Sequence, residues 1–339
     1  MRVAVYYNNK DIRIEERSIP VIGSDEVLVK AKACGICGSD VLEWYRIRSA
    51  PRILGHEMTG IIVQKGKDIC NLEVGDRVFV SHHVPCNHCS YCRSGHHTAC
   101  ETLHTTNFDP GGFAEYIRIP HINIQNGTFL LPSTMSYEEG TFIEPLGCVV
   151  RGQRLIRLEQ GQTVLVLGCG VTGLLHIQLA KCMGAKRVIA TDIRDYRLAA
   201  AQRFGADVTI HAHDDVPTKI REVNNQCFVD KVIVCTGALP AVHQAYHSID
   251  RGGTILFFAV PPPTETVTIP LSDLWRNEIT LMTTYGAGPD DLTKAFTLIR
   301  EQDIRVHEMV SHQFGLIDIG KAFQIVAEAN ESMKVIVKL

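Results

Sequence analysis

Apolar and polar positions follow two different rhythms along the 339 residues. From the N-terminus to about residue 140 the pattern is short and alternating, as in Met1-Arg2-Val3-Ala4-Val5-Tyr6 and Val27-Leu28-Val29-Lys30-Ala31. Turn signals such as Ser18-Ile19-Pro20 and Gly23-Ser24-Asp25 separate the runs. A period of two puts alternate side chains on one face, so these runs predict strands. Val74–Val80 and Gly112–Ile119 each read as a turn feeding a further strand. An antiparallel sheet or small barrel with irregular loops is the natural product.

The rhythm changes at Ser136-Tyr137-Glu138-Glu139, where Ser136 as N-cap and Glu139 three residues later have the spacing of a capping box. A helix is expected from there toward Arg157, interrupted at Pro145. Beyond it, apolar runs at 163–167, 187–191, 207–210, 230–234 and 253–258 alternate with helical periodicity at 173–183, 195–204, 216–224 and 239–249. Strands separated by helices predict a parallel sheet covered on both faces. Ile279–Thr284, helices over Asp290–Arg300 and Asp318–Ala329, and a strand at Val335–Val337 complete the chain. The last strand is expected to return to the first domain. The expected division is therefore a mostly β domain over 1–144, an α/β domain over 145–280, and a returning segment over 281–339.

The first strand of the α/β region, Val164-Leu165-Val166-Leu167, runs into Gly168-Cys169-Gly170-Val171-Thr172-Gly173 and then a helix. Strand, G-x-G-x-x-G and helix in that order predict a dinucleotide site. Gly168 would allow the tight turn, Gly170 the approach of a pyrophosphate, and Gly173 close packing of helix on sheet. Val171 and Thr172 open the helix, where unpaired N–H groups face an anion. Asp192 ends the next strand, 24 residues after Gly168, where an acid accepts from the adenosine ribose hydroxyls. That acid favours NAD, since a 2′-phosphate would meet a like charge. Arg197 joins the candidate cofactor residues, and Arg194 keeps NADP as an alternative should Asp192 turn away. Glycines serving only packing are the other reading.

Composition narrows the classes. A formal charge of -3 with scattered Lys and Arg gives no field to gather nucleic acid. No apolar run approaches the ~20 residues that cross a bilayer, and the N-terminus has no signal-peptide core. Twelve cysteines without an export signal point to thiolates in a reducing compartment, so a cytoplasmic location is expected.

Four of those cysteines, Cys86, Cys89, Cys92 and Cys100, have the spacing C-x2-C-x2-C-x7-C. Such spacing suits a closed tetrahedral zinc site with a structural role. An iron–sulfur cluster or four free thiols are the alternatives. His82, His83, His88, His96 and His97 crowd the same region and read as ordinary loop residues. Upstream, Cys37-Gly38-Ser39-Asp40 and Gly55-His56-Glu57 offer a thiolate, an imidazole and a carboxylate, and Glu144 before Pro145 adds an acid. Cysteine, histidine and one carboxylate would leave a metal with an open fourth position. Alone, this signal is weak. Cys34-Gly35-Ile36-Cys37 could also be a redox dithiol, although no thioredoxin-like context surrounds it.

Taken in order, Cys37-Gly38-Ser39-Asp40, Gly55-His56-Glu57, Val74-Gly75-Asp76-Arg77-Val78, the four-cysteine loop, Gly111-Gly112-Phe113-Ala114-Glu115-Tyr116, Glu144-Pro145-Leu146 and the Gly168–Gly173 turn resemble the zinc-containing medium-chain dehydrogenase/reductase family. The polyol (sorbitol) and threonine dehydrogenase branches are the most similar. The resemblance covers essentially the whole chain. It implies a GroES-like catalytic domain, a Rossmann domain with a doubly wound parallel sheet, and a cleft holding zinc and nicotinamide. It also implies one catalytic and one structural zinc per chain, with NAD as cofactor. Cys37 and His56 fall on the catalytic zinc ligands, Glu144 where polyol dehydrogenases keep a glutamate, and Glu57 beside the metal as an intermittent ligand.

Ser39 falls on the hydroxyl that passes the alcohol proton outward, but Leu42 stands where many members have a relay histidine. The segment from Tyr45 to Gly55 is compact. Trp44, Tyr45, Arg46, Arg48 and Arg52 lie between the zinc motifs and either meet a sugar, carboxylate or phosphate or are packed and solvated surface. The resemblance implies reversible oxidation of a secondary alcohol of a polyol, cyclitol, sugar or amino alcohol. A dehydrogenase for simple aliphatic or aromatic alcohols is the alternative, and a non-enzymatic nucleotide sensor a more distant one. A homotetramer, or a dimer, is expected from the family; nucleic acid and membrane are not expected partners.

Overall fold

A computed structural model describes residues 1–339. It divides into two compact units: Met1–Gly147 with Ala287–Gln302 and Val306–Leu339, and Cys148–Gly286 with Asp303–Arg305.

The first unit holds two sheets. In the smaller, Asp11–Glu16, Arg2–Asn8 and Arg52–Ile53 run antiparallel in that order. In the larger, the order is Val310–Gly315, Lys334–Lys338, Val27–Gly35, Glu57–Lys65, Arg77–Ser81 and Thr128–Leu130, with Tyr116–Ile119 also pairing Val27–Gly35. Only the Val310–Gly315 and Lys334–Lys338 pair is parallel; the other neighbours are antiparallel. The C-terminal strand thus adds to the N-terminal sheet, and its buried Val335 and Val337 join a core that includes Val29, Ala31, Met58, Val78 and Phe113.

Gly112–Glu115 forms the expected turn, in which Ala114 makes only an isolated bridge to Val3, and the strand it feeds runs Tyr116–Ile119. The cause lies in the glycines, since a Cβ on Gly112 would sit 2.8 Å from Cys34 Sγ and from the Gly55 backbone. Its N–H donates to Gly55 O at 3.0 Å, so this stretch packs on the turn before His56 instead of pairing edge to edge.

The helix after Ser136 breaks at residues 141–142, not at Pro145. The capping box forms, with Glu139 N–H donating to Ser136 Oγ at 3.1 Å and Ser136 N–H to Glu139 Oε2 at 2.7 Å. It caps only Tyr137–Gly140, and a second helix runs Ile143–Leu155. Pro145 is the third residue of that helix, where a backbone N–H has no intrahelical acceptor to lose.

The second unit is a six-stranded, wholly parallel sheet ordered Val208–His211, Arg187–Asp192, Thr163–Leu167, Val229–Val234, Ile249–Phe257 and Thr280–Thr283. Numbered within the unit, this is 3-2-1-4-5-6, the doubly wound dinucleotide-binding order. Every residue of Thr163–Leu167 is buried, as a central strand with helices on both faces requires. The strand order reverses beside Thr163–Leu167, so ligands of such sheets sit at its carboxyl end, where Gly168 follows. No helix is long and apolar enough to cross a membrane.

Candidate active site

Strand register brings the first set of candidates together. Val27–Gly35 and Glu57–Lys65 are antiparallel neighbours with Gly35 opposite Glu57. Cys37, just past the end of one, and His56, just before the start of the other, therefore lie at the same end of the sheet. Donor atoms of Cys37, His56 and Glu57 all fall within 4.8 Å of one another. Thiolate, imidazole and carboxylate at that mutual distance suit a zinc ion with a further position open.

The surroundings also favour a cation. Asp40, wholly buried, faces His56 Nδ1 at 3.4 Å. This is the carboxylate–histidine pairing that fixes the imidazole tautomer and leaves Nε2 to ligate. Burial opposes charge on His56, yet Asp40 and the Cys37 thiol together hold its pKa well above the ordinary value. Asp40 in turn is held below its usual range against burial by His56, by Arg46 and by the Cys37 N–H, which donates at 3.1 Å. Ser39 N–H donates to Cys37 Sγ at 3.4 Å, as a thiolate invites. Glu57 Oε1 is buried with no hydrogen-bond partner, an orphaned acceptor that a metal would satisfy.

The other oxygen of Glu57 is paired with Lys334, both side chains 1% exposed. A Cβ on Gly35 would lie 2.1 Å from Glu57 Oε2, so glycine there makes the space for the pair. Sequence reasoning missed Lys334; its only sequence signal is a lone lysine opening an apolar C-terminal strand. It also missed Asp40, although the residue lies inside the Cys37 motif. Glu144, second residue of the helix Ile143–Leu155, contributes its negative charge to Lys334.

Ser39 does not stand alone. Arg46 donates from Nη2 to Ser39 Oγ at 2.8 Å and from Nε to Ser39 O at 2.9 Å. Leu42 is 41% exposed and offers no proton path. His82 and His83 belong to this corner, not to the four-cysteine loop: the His82 ring centroid lies 3.8 Å from that of His83, the rings tilted, and 4.9 Å from that of His56. Burial keeps both neutral, and His83 is lowered to about 4. Cys34 is completely buried, and burial pushes its thiol pKa up, which removes the dithiol reading with Cys37.

The four cysteines of the loop form the second compact group, all sulfurs within 4.8 Å. Individual separations are 3.5 Å for Cys89–Cys92, 3.6 Å for Cys86–Cys100 and 4.0 Å for Cys86–Cys92. A tetrahedron with Zn–S near 2.3 Å has edges of about 3.8 Å, so the cage fits zinc and is closed. Backbone N–H groups of Cys89 and Cys86 point at Cys86 Sγ and Cys100 Sγ at 3.3 and 3.4 Å. Apart from Leu103, no apolar side chain is buried in this cluster, so the loop lacks a core of its own.

In the other unit the glycine turn has the geometry its spacing predicts. Gly168 has φ +96°, and a Cβ on Gly173 would lie 2.0 Å from Gly168 O. At Gly170 a Cβ would meet nothing closer than Arg197 Nη1 at 4.0 Å, which leaves room for a ligand. Gly170 caps the helix Val171–Cys182 without any side-chain bond, so the N–H groups of Val171 and Thr172 face outward unpaired by a cap. Asp192 is 6% exposed; its Oδ2 accepts from Cys169 N–H at 2.8 Å and its Oδ1 from Arg194 N–H at 3.0 Å. Arg197 Nη1 stands 4.0 Å from Asp192 Oδ2.

The comparisons agree with this geometry. The alcohol dehydrogenase GroES-like domain matches residues 23–128, and the zinc-binding dehydrogenase domain matches residues 171–301. Sorbitol dehydrogenase of Bacillus subtilis (strain 168) is 32% identical over 350 aligned positions, covering 99% of this chain and 97% of that one. L-galactonate-5-dehydrogenase of Escherichia coli (strain K12) is 30% identical, covering 96% and 94%. The crystal structure of a candidate zinc-binding dehydrogenase from Sinorhizobium meliloti 1021, bound to NADP, superimposes with a TM-score of 0.88 at 30% identity over 100% of this chain and 99% of that one. The chain belongs to the zinc-containing medium-chain dehydrogenase/reductase family and is related to its sorbitol and polyol dehydrogenase branch.

Proposed function

We propose that this protein is a zinc-dependent dehydrogenase that moves hydride reversibly between NAD and a secondary alcohol of a polyol, cyclitol, sugar or amino alcohol. The observation that carries the reading is the compact Cys37, His56 and Glu57 donor set, with Glu57 Oε1 left without a partner. Names of the relatives, sorbitol dehydrogenase and L-galactonate-5-dehydrogenase, support the substrate class. Cys37 and His56 would hold the metal, with Glu57 and Glu144 as acidic partners, while Cys86, Cys89, Cys92 and Cys100 would hold the structural ion. When bound, zinc would lower the pKa of an alcohol placed there and the nicotinamide would accept its carbon-bound hydrogen.

The rest falls to the chain. Asp40 keeps the His56 ring oriented. Lys334 pairs with Glu57 where both side chains are removed from solvent. Ser39 Oγ accepts from Arg46, which is always a donor, so that contact leaves its own O–H and one lone pair for other partners. That leaves Ser39 able to take the alcohol proton while giving up its own, in a place where Leu42 can do neither. On the nucleotide side, Gly168, Gly170, Val171, Thr172 and Gly173 would cradle the pyrophosphate, and Asp192 with Arg197 would meet the ribose. The unpaired His82 Nδ1 and Arg46 beside Ser39 favour a polar substrate over the aliphatic or aromatic alternative.

Assembly would use the sheet edge at Thr280–Thr283, flanked by Trp275 at 80% and Leu271 at 72% exposure. The testing experiment incubates zinc-loaded protein with polyols, cyclitols, amino alcohols and simple alcohols and follows NAD and NADP reduction by absorbance. Polyol-dependent NAD reduction is expected. A protein that binds zinc but reduces neither cofactor with any alcohol would overturn the reading.

A further inference from the structure

Residues 43–53 contain three arginines, Arg46, Arg48 and Arg52, against one carboxylate, Glu43. Glu43 is tied to the Asn9 N–H at 3.3 Å. Arg46 is mostly buried, its side chain 15% exposed, and is held by Ser39 O, Ser39 Oγ and, at 3.3 Å, Asp40 Oδ1. Those contacts use Nε and Nη2, and the guanidinium lies 4.7 Å over the Tyr45 ring. Nη1 keeps two N–H donors. Arg52 is half-buried with only a 3.4 Å contact to Ser49 Oγ and no carboxylate in ion-pair range. Burial, then the Arg46 charge, lowers its pKa.

No carboxylate stands in ion-pair range of that charge, and Tyr45 and Asp40 offset it only from further off, by less than burial and Arg46 oppose it. The two buried carboxylates of this corner are already engaged, Asp40 with Arg46 and His56, and Glu57 with Lys334. A guanidinium removed from water without an anion is costly, and a planar anion accepting two parallel N–H bonds is the usual remedy. Arg46 itself donates to Ser39 Oγ, the hydroxyl beside the candidate metal ligands.

Resting on the dehydrogenase reading, we infer that the substrate is an alcohol that also carries an anionic group, a carboxylate or phosphate a few atoms from the carbinol, received by Arg46 Nη1 and Arg52. His82 Nδ1, buried and unpaired, is the site's remaining polar atom and takes a substrate hydroxyl. A neutral polyol would satisfy that nitrogen but leave Arg52 uncompensated.

The experiment uses the zinc-loaded full chain. Three matched series are compared: hexitols, the aldonates of the same configuration, and hexitol phosphates. Each is measured by kcat/KM with NAD and by calorimetric binding to the NADH complex at low and high salt. One anionic series is expected to bind about 10- to 100-fold more tightly than the hexitols, the range of a charge-assisted bond, and to lose that advantage at high salt.

Aldonates leading would identify a carboxylate, and phosphates leading a phosphate. Arg52→Met and Arg46→Met should each shrink the anion-to-neutral ratio, and Arg52→Lys should restore part of it, with zinc content unchanged in the Arg52 variants. Hexitols bound as tightly as both anionic series, or a preference that survives both methionine variants, would overturn the inference. NAD-dependent oxidation of neutral hexitols in that case leaves the dehydrogenase reading standing. Anion binding that Arg52→Met abolishes, without turnover of any alcohol, would instead overturn the dehydrogenase reading and retain the anion site.

Discussion

Cys37 carries the sharpest expectation at the level of single side chains. Its sulfur is one of three donors within 4.8 Å, so Cys37→Ala should lower kcat/KM by at least about 100-fold and remove one zinc per chain, measured by turnover and metal analysis together. Unchanged metal content would deny the role. Asp192 is subtler, because its carboxylate accepts from two backbone N–H groups as well as facing the candidate ribose position. Asp192→Ala should weaken NAD relative to NADP by about tenfold, one charge-assisted bond's worth, in a comparison of the two Kd values. Equal losses for both nucleotides would assign Asp192 to holding the glycine turn alone. Cys37, His56 and Asp192 were legible because motif spacing reports local turns. Asp40, Lys334 and the hold of Arg46 on Ser39 were not, since each acts through a partner that folding supplies, in Lys334's case from 277 positions away.

Elements show the same division. The strand–glycine–helix unit was readable because a buried parallel strand, a left-handed Gly168 and an uncapped helix start all leave marks within ten consecutive residues. The break at residues 141–142 was not readable, because Pro145 looks like an interruption until its position in the first helical turn is known. Two tests belong at this scale.

His176, in the helix after the glycine turn, is fully buried, and burial alone lowers its pKa to about 3. Its folded pKa lies below its unfolded value near 6.5, so the unfolded chain binds the extra proton in acid. Stability is therefore full above about pH 6.5 and falls as pH drops toward 3, by about 2 kcal/mol at pH 5. His176→Leu should remove that part of the slope in urea titrations at pH 5 and 7. A parallel loss in both proteins would show that His176 does not carry it.

The four-cysteine loop is the second case. With almost no apolar core, it depends on its metal. Cys89→Ala should lose about one zinc per chain and lower the urea midpoint, while a protein with unaltered zinc and midpoint would count against a structural ion.

At the scale of the whole molecule the open question is assembly. The edge strand Thr280–Thr283 and the exposed Trp275 and Leu271 form an apolar margin of the nucleotide-binding unit. Trp275→Glu places a charge there and should shift the protein to a smaller species in light scattering. An unchanged mass would locate the contact elsewhere or show a monomer.

What the linear chain determined by itself is whatever depends on neighbours in sequence: alternation that makes strands, the glycines at 168, 170 and 173, the capping box at Ser136, and cysteines two residues apart. What only tertiary structure decided depends on strand register. Setting Gly35 opposite Glu57 brings Cys37 and His56 to one end of a sheet. Adding Lys334–Lys338 beside Val27–Gly35 delivers a buried lysine to Glu57. Local spacing constrains turns and helix ends because those interactions span a few residues. Charge compensation in a buried site is a property of the finished sheet, because only pairing across it decides which ions share a low-dielectric space.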